Sequence, residues 1–225
     1  MDMLRDSMLL TRQGRGAYKK SGLVFGRAAV LALFVLVAVF SAQAGPGLKS
    51  GDRIRGVNYG PFRAGQDPAT ASYPAFEQLE EDMAILSHMT DVIRICSVAG
   101  GLEKIVALAQ QRGMRVVAGA WLGSDEAANQ RQIDSLVDVA RNSRNIPFLV
   151  VGNEAILRSE RGWPDSLSKH KVIKKIVEVK RRVNIPVTTA EAWKIWEENP
   201  YLAKAVDLIF VNIHPYWENK DISVA

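Results

Sequence analysis

From residue 52 onward, short apolar runs alternate with stretches in which apolar residues return every three or four positions. The runs predict strands over residues 54–59, 92–96, 115–121, 147–152, 186–190 and 208–213. Each is nearly continuous in its apolar character, which is how parallel strands covered on both faces read. Between them, Phe76, Leu79, Met83 and Leu86 fall on one helical face, as do Leu102, Ile105, Val106 and Ala109 before a stop at Gly113. Ser124, followed by Asp125 and Glu126, reads as an N-cap with acids in the first turn, and Ile133, Leu136, Val137 and Ala140 form the buried stripe behind it. A Lys-rich helix is expected over 168–183 with Val172, Ile176 and Val183 inward, then a short one over 192–205, broken near Pro200.

Six strands alternating with helices fit two α/β architectures, an open doubly wound sheet or a (β/α)8 barrel. The first strand is not followed by a Gly-x-Gly-x-x-Gly turn, and no Gly-x-x-x-x-Gly-Lys-Ser/Thr loop occurs, so the nucleotide-binding versions lose their main support. The polar and aromatic residues gather at strand ends. Asn58 and Tyr59 end the first strand, Arg94 lies in the second, Trp121 closes the third, and Asn153 and Glu154 follow the fourth. Glu191 and Trp193 follow the fifth, and His214, Tyr216 and Trp217 the sixth. Functional groups at the C-terminal ends of successive strands mark the barrel. A barrel usually takes about 250 residues, more than the 181 from residue 45 onward.

Charge changes the picture by its distribution. The chain of 225 residues carries a formal net charge of +5, but residues 1–27 hold six basic residues against two acidic ones. The rest is nearly balanced, so no nucleic-acid partner is expected of the folded part. Residues 28–40 are an unbroken apolar run of 13, followed by Ala42-Gln43-Ala44 and Gly45-Pro46-Gly47. That length suits a secretory h-region and falls short of the roughly 20 residues of a membrane span. Residues 1–44 are therefore expected to be a signal peptide or, through residues 23–44, a membrane anchor. Either places the domain over 45–225 outside the cytoplasm, secreted, periplasmic or anchored. The single cysteine, Cys96, cannot form an internal disulfide, and reads as a small buried hydrophobe.

Glu154 leads the candidate chemistry. A carboxylate directly behind an apolar strand, beside Asn153, stands partly out of water at the sheet's mouth and suits general acid/base work. The competing reading is a carboxylate that caps a helix N-terminus. Trp121, Trp193 and Trp217, with Tyr59 and Tyr216, offer flat apolar rings beside hydrogen-bonding groups, which suits the faces and rims of sugars. Trp163 and Trp196 read as packing residues. Arg94 needs a partner inside a strand, and a carboxylate near the mouth is the expected one. His214 is a proton donor, a substrate contact or an ordinary hydrogen-bonded histidine. His88 and His170 read as structural. No cluster has metal-ligand spacing, so neither a metal nor another cofactor is expected. The basic run between Lys169 and Arg182 reads as a solvated helix face.

Four blocks, GVNYGPF at 56–62, VVGNEAILR at 150–158, VTTAEAW at 187–193 and NIHPYW at 212–217, together resemble the bacterial and fungal branch of glycoside hydrolase family 17, the β-1,3-glucanases and related glucosyltransferases. The resemblance runs from about residue 52 to the end. It implies a (β/α)8 TIM-type barrel, a retaining mechanism and β-glucan substrates. It also implies Glu154 as proton donor, Asn153 as a sugar contact, His214 and Tyr216 lining the catalytic subsite, and Tyr59 near the floor of the cleft. A retaining enzyme needs a second carboxylate about 5–5.5 Å from the first. The family takes it from a Gly-Glu-x-Gly-Trp-Pro-like motif after the seventh strand, and no such motif occurs here. The expected domain is thus an incomplete barrel of about six β/α units, without the last two strands and the nucleophile. Glu191, one strand from Glu154, is the other carboxylate at a strand mouth, but the family pattern does not make it the nucleophile. A non-catalytic β-glucan-binding barrel fragment is the alternative function, and an envelope or interaction module a third.

Overall fold

The computed structural model describes residues 53–219. The expected leader over 1–44 lies outside the described residues. Six strands form one parallel sheet in chain order: β1 (Val57–Asn58), β2 (Val92–Ile95), β3 (Arg115–Ala120), β4 (Leu149–Asn153), β5 (Val187–Ala192) and β6 (Phe210–Asn212). Helices alternate with them: α1 (Phe76–Met89), α2 (Lys104–Gln111), α3 (Glu126–Asn142), α4 (Ala155–Glu160), α5 (Lys169–Lys180), α6 (Trp193–Glu198) and α7 (Leu202–Ala205). Among the described residues no helix is long and apolar enough to cross a membrane.

The sheet is curled. Arg94 on β2 reaches Asn212 on β6 at 3.5 Å, although four strand spacings would part these strands by about 19 Å in a flat sheet. The curl divides the apolar residues in two. The larger core lies between the sheet's convex face and the helices, with Ile93, Val116, Leu149, Val151 and Val187 meeting Leu79, Ile105, Ile133 and Ile176. A smaller one fills the concave side, where Val117, Val150 and Ala190 pack with Phe148 and Phe210. The alternation of six strands with helices is what the sequence pattern predicts, and the curl favours the barrel over the open doubly wound sheet.

Boundaries differ in ways with local causes. β1 is only two residues long, with a further bridge from Ile54 to Thr90, and β6 only three. Both are edge strands in the described sheet, paired on one side alone. Asp125, not Ser124, caps α3, its Oδ1 accepting from the Ala128 N–H at 3.1 Å. The Ser124 N–H instead donates to Asp165. The break between α6 and α7 falls at Asn199–Tyr201, as Pro200 leads one to expect. The short α4 is not legible from periodicity, because six residues do not complete two turns.

Candidate functional site

The site is built around an irregularity at the end of β4. Along β4, Leu149 and Val150 pair with Val187 and Thr188, but Asn153 pairs with Ala190, so one extra residue is inserted. A bulge of this kind inverts the in–out alternation. Val150 faces the concave side, and strict alternation would turn Asn153 toward the helices. The extra residue, with Gly152 at φ 89°, puts Asn153 on the concave side instead. Glu154 follows in the left-handed region, at φ 51° and ψ 28°. That conformation is costly for a residue with a side chain and collects at functional sites.

Asn153 and Glu154 belong to one hydrogen-bonded network drawn from four strands. Arg94 NH2 donates to Asn153 Oδ1 at 2.6 Å, and its NH1 lies 3.4 Å from Asn58 Oδ1 and 3.5 Å from Asn212 Oδ1. Asn212 Nδ2 donates to Asn153 Oδ1 at 3.2 Å and to Glu154 Oε1 at 2.9 Å. His214 Nε2 meets the same Glu154 oxygen at 3.1 Å. Polarity is fixed from one end. A guanidinium only donates, so the Asn153 atom facing Arg94 is its oxygen, and the Asn153 NH2 is left as a donor toward the open side. The partner of Arg94 differs from expectation. This guanidinium, 8% exposed, donates to asparagine oxygens rather than to a carboxylate, lies 5.0 Å from the Phe210 ring centre, and leaves its buried Nε without a partner.

Glu154 precedes α4 as its N-cap residue, yet its side chain makes no capping bond. That capping comes from Glu191 on β5. Glu191 Oε1 accepts from the Ile156 N–H at 3.0 Å and Oε2 from the Leu157 N–H at 3.2 Å. This carboxylate is fully buried. Alternation explains why, since Ala190 faces the concave side and its neighbour Glu191 must face the helices. Glu191 therefore does not line the cleft as a substrate contact, nor does it stand across the cleft as a second carboxylate. Burial pushes its pKa up to about 7, and the charge of Glu154 adds to the rise, while the two N–H bonds and Arg158 oppose it.

Arg158 on α4 ties these pieces to β3. Its guanidinium donates to the carbonyls of Asn153, Leu122 and Asp165 and lies 4.2 Å from the centre of the Trp121 ring. Asp165 accepts from Trp121 Nε1 at 3.0 Å and from the Ser124 N–H at 3.0 Å. Trp121 is thus held at its indole nitrogen and over one ring face. It lines a cavity of about 620 Å³ with Asn58, Tyr59, Phe62, Tyr73 and Arg94, a size that suits a small ligand or a few sugar rings. Glu154 lies outside this lining. Tyr59 reaches the cavity with its ring, but its hydroxyl donates to Asp82 on α1 at 2.7 Å; burial first, and then this bond, raise its pKa.

The remaining aromatics are less gathered than the sequence suggests. Trp193 is 42% exposed, its Nε1 bonded to Glu218 at 2.8 Å. Tyr216 and Trp217 are 84% and 82% exposed and pack edge to face on each other, away from the cavity. Asn212, Arg158 and Asp165 are absent from the sequence-derived candidates. Asn212 was available from alternation, two residues beyond Phe210 on one strand. Asp165 carries no local signal, because only the fold brings it 44 positions back to Trp121.

The BtgE/BtgC glycoside hydrolase domain family matches residues 56–225. A probable glucan endo-1,3-beta-glucosidase btgC of Aspergillus fumigatus is 26% identical over 175 residues, covering 72% of this chain and 25% of that protein. The glucan endo-1,3-beta-glucosidase btgC of Emericella nidulans is 26% identical over 182 residues, with 76% and 27% covered. The chain thus spans about a quarter of the length of these curated relatives. Among solved structures, the glycoside hydrolase family 17 beta-1,3-glucanosyltransferase of Rhizomucor miehei superposes with a TM-score of 0.61 at 24% identity, over 76% of this chain and 61% of that one. An active-site mutant of the Rhizomucor miehei beta-1,3-glucanosyltransferase, in complex with laminaritriose, superposes with a TM-score of 0.60 over 73% and 59%. These likenesses and the curled six-stranded parallel sheet are consistent with the incomplete barrel expected from the four sequence blocks.

Proposed function

The chain belongs to the BtgE/BtgC glycoside hydrolase domain family, and from that premise we propose that it acts on β-1,3-glucan with Glu154 as acid/base. The observation that carries this reading is the state of the Glu154 carboxylate. It heads a helix without capping it, sits in a left-handed backbone conformation, and is held at one oxygen by Asn212 and His214. Its side chain is 19% exposed, sheltered but open to a substrate oxygen. Asn153 presents its NH2 to a sugar hydroxyl, and Arg94 keeps that amide oriented. Trp121 offers a ring face to a glucosyl unit in the adjoining cavity, His214 stands beside Glu154, and the exposed Trp193, Tyr216 and Trp217 are read as outer sugar contacts.

In this reading Glu154 protonates the departing glycosidic oxygen. It then takes a proton from water or from an acceptor sugar, giving hydrolysis or transfer. A retaining route also needs a carboxylate opposite Glu154, and Glu191 is engaged elsewhere. We read the six strands as the greater part of a (β/α)8 barrel within a domain over residues 45–225. Residues 1–44 are read as a signal peptide or anchor that takes this domain out of the cytoplasm. Glu154→Gln should lower turnover of a β-1,3-gluco-oligosaccharide by roughly 10²- to 10⁴-fold with its binding retained. Unchanged turnover would overturn the assignment. A second reading, glucan binding without turnover, is favoured by the network itself, in which Glu154 is the one carboxylate among the described residues. Binding by the unaltered protein with no product would select it.

A further inference from the structure

We infer that Glu191 is a positioning residue for Glu154: from the neighbouring strand it caps the helix that Glu154 heads, and so leaves the Glu154 carboxylate to the cleft. The inference rests on the reading of Glu154 as acid/base. A Ser, Thr, Asp or Asn that heads a helix ordinarily folds its side-chain oxygen onto the second or third N–H that follows, a bond that Glu154 does not make. Here those two donors, Ile156 and Leu157, are both taken by Glu191. β5 holds the same turn at a third point, where Ala190 O accepts the Glu154 N–H at 2.7 Å. With these two capping amides occupied by Glu191, the Glu154 side chain is held by Asn212 and His214 instead.

The charged groups acting on Glu191 are few. Glu154 repels its negative charge, and Arg158 attracts it. From α5 the buried groups are Val172, Ile176, Val179 and Lys175, whose ammonium is bonded to Glu126, Glu178 and Gln130. From α6 they are Ile195 and Trp196, and β6 pairs Val211 beside Glu191. A carboxyl in this setting, pushed up to about 7, is electrically coupled to Glu154. Removing the Glu154 charge must therefore make Glu191 ionise more readily.

The test follows the amide protons of Ile156 and Leu157 by NMR through a pH titration of the unaltered protein and of Glu154→Gln. Both protons should titrate together with a midpoint near 7, and the midpoint should move to lower pH in Glu154→Gln. Amides that do not titrate together, or a midpoint that Glu154→Gln leaves in place, would overturn the inference. This holds whether or not the protein turns glucan over. In a turnover assay, Glu191→Ala should lower kcat by roughly 10- to 100-fold with KM nearly unchanged, and Glu191→Gln should restore part of the loss by keeping one acceptor. An unchanged kcat in Glu191→Ala, or equal losses in both variants, would contradict it. Failure of the glucan reading shows elsewhere, as turnover that Glu154→Gln does not reduce.

Discussion

Two carboxylates one strand apart have opposite environments, and the alternation of β5 separates them. Glu154 is partly open and bonded to side chains, whereas Glu191 is sealed among apolar groups and bonded to backbone. The second environment carries a signature in stability. The Glu191 pKa is raised from 4.5 to about 7 by burial first, then by Glu154, so the folded chain holds a proton there that the unfolded chain has released. Its contribution to stability is full below pH 4.5 and is lost as pH rises through about 7. Relative to Glu191→Gln, which cannot titrate, the unaltered protein should lose on the order of 3 kcal/mol of unfolding free energy across that window. Denaturant melts of both proteins at pH 4.5, 6 and 8 check this, and a difference that stays flat with pH would show that Glu191 does not titrate there.

At the scale of elements, the bulge in β4 decides which residues face the cleft. Gly152 adopts φ 89° at that bulge, and a Cβ there would meet Leu122, Ala155 and Thr189 only at 3.4–3.5 Å. Space is adequate, so Gly152→Ala should be destabilising through backbone conformation alone, by about 1–2 kcal/mol. Thermal unfolding measures it, and an unchanged Tm would mean that the bulge relaxes. The six strands and every helix but α4 were legible in the sequence, because apolar periodicity reports directly on burial. Arg94, Asn153 and Glu154 were legible as chemistry out of place in or behind apolar strands. Glu191 was legible as present but not as buried, since its side is set by register with β4 and β6 rather than by its own neighbours. The bulge hid as well, because a one-residue slip leaves the apolar run PFLVV unbroken to the eye. Asp165 and Arg158 join Trp121 only after the loops have folded, so no window of sequence held the signal.

For the whole molecule, Arg94 is the clasp of the curl, binding asparagines of β1, β4 and β6 from β2. Arg94→Met keeps much of the apolar stem and strips the donors from three asparagine oxygens. Asn153 Oδ1 keeps Asn212 Nδ2 as a donor and Asn58 is exposed, so the main loss is the short charge-assisted bond to Asn153, worth about 1.5–3 kcal/mol. Unfolding should shift to clearly lower denaturant and β-1,3-glucan binding should weaken with it. An Arg94→Met protein of unaltered stability would show that the curl is held by packing alone. The curl in turn brings Asn212 and His214, some 60 positions along the chain, onto Glu154, and on that meeting the functional account stands. The most direct measurement compares kcat/KM of Glu154→Gln and the unaltered protein on two substrates, an ordinary β-1,3-gluco-oligosaccharide and an aryl β-1,3-glucoside whose phenolate leaves without protonation. With Glu154 as the acid, the loss should be roughly 10²-fold or more on the first and small on the second. An equal loss on both substrates, or no loss on either, would contradict the assignment.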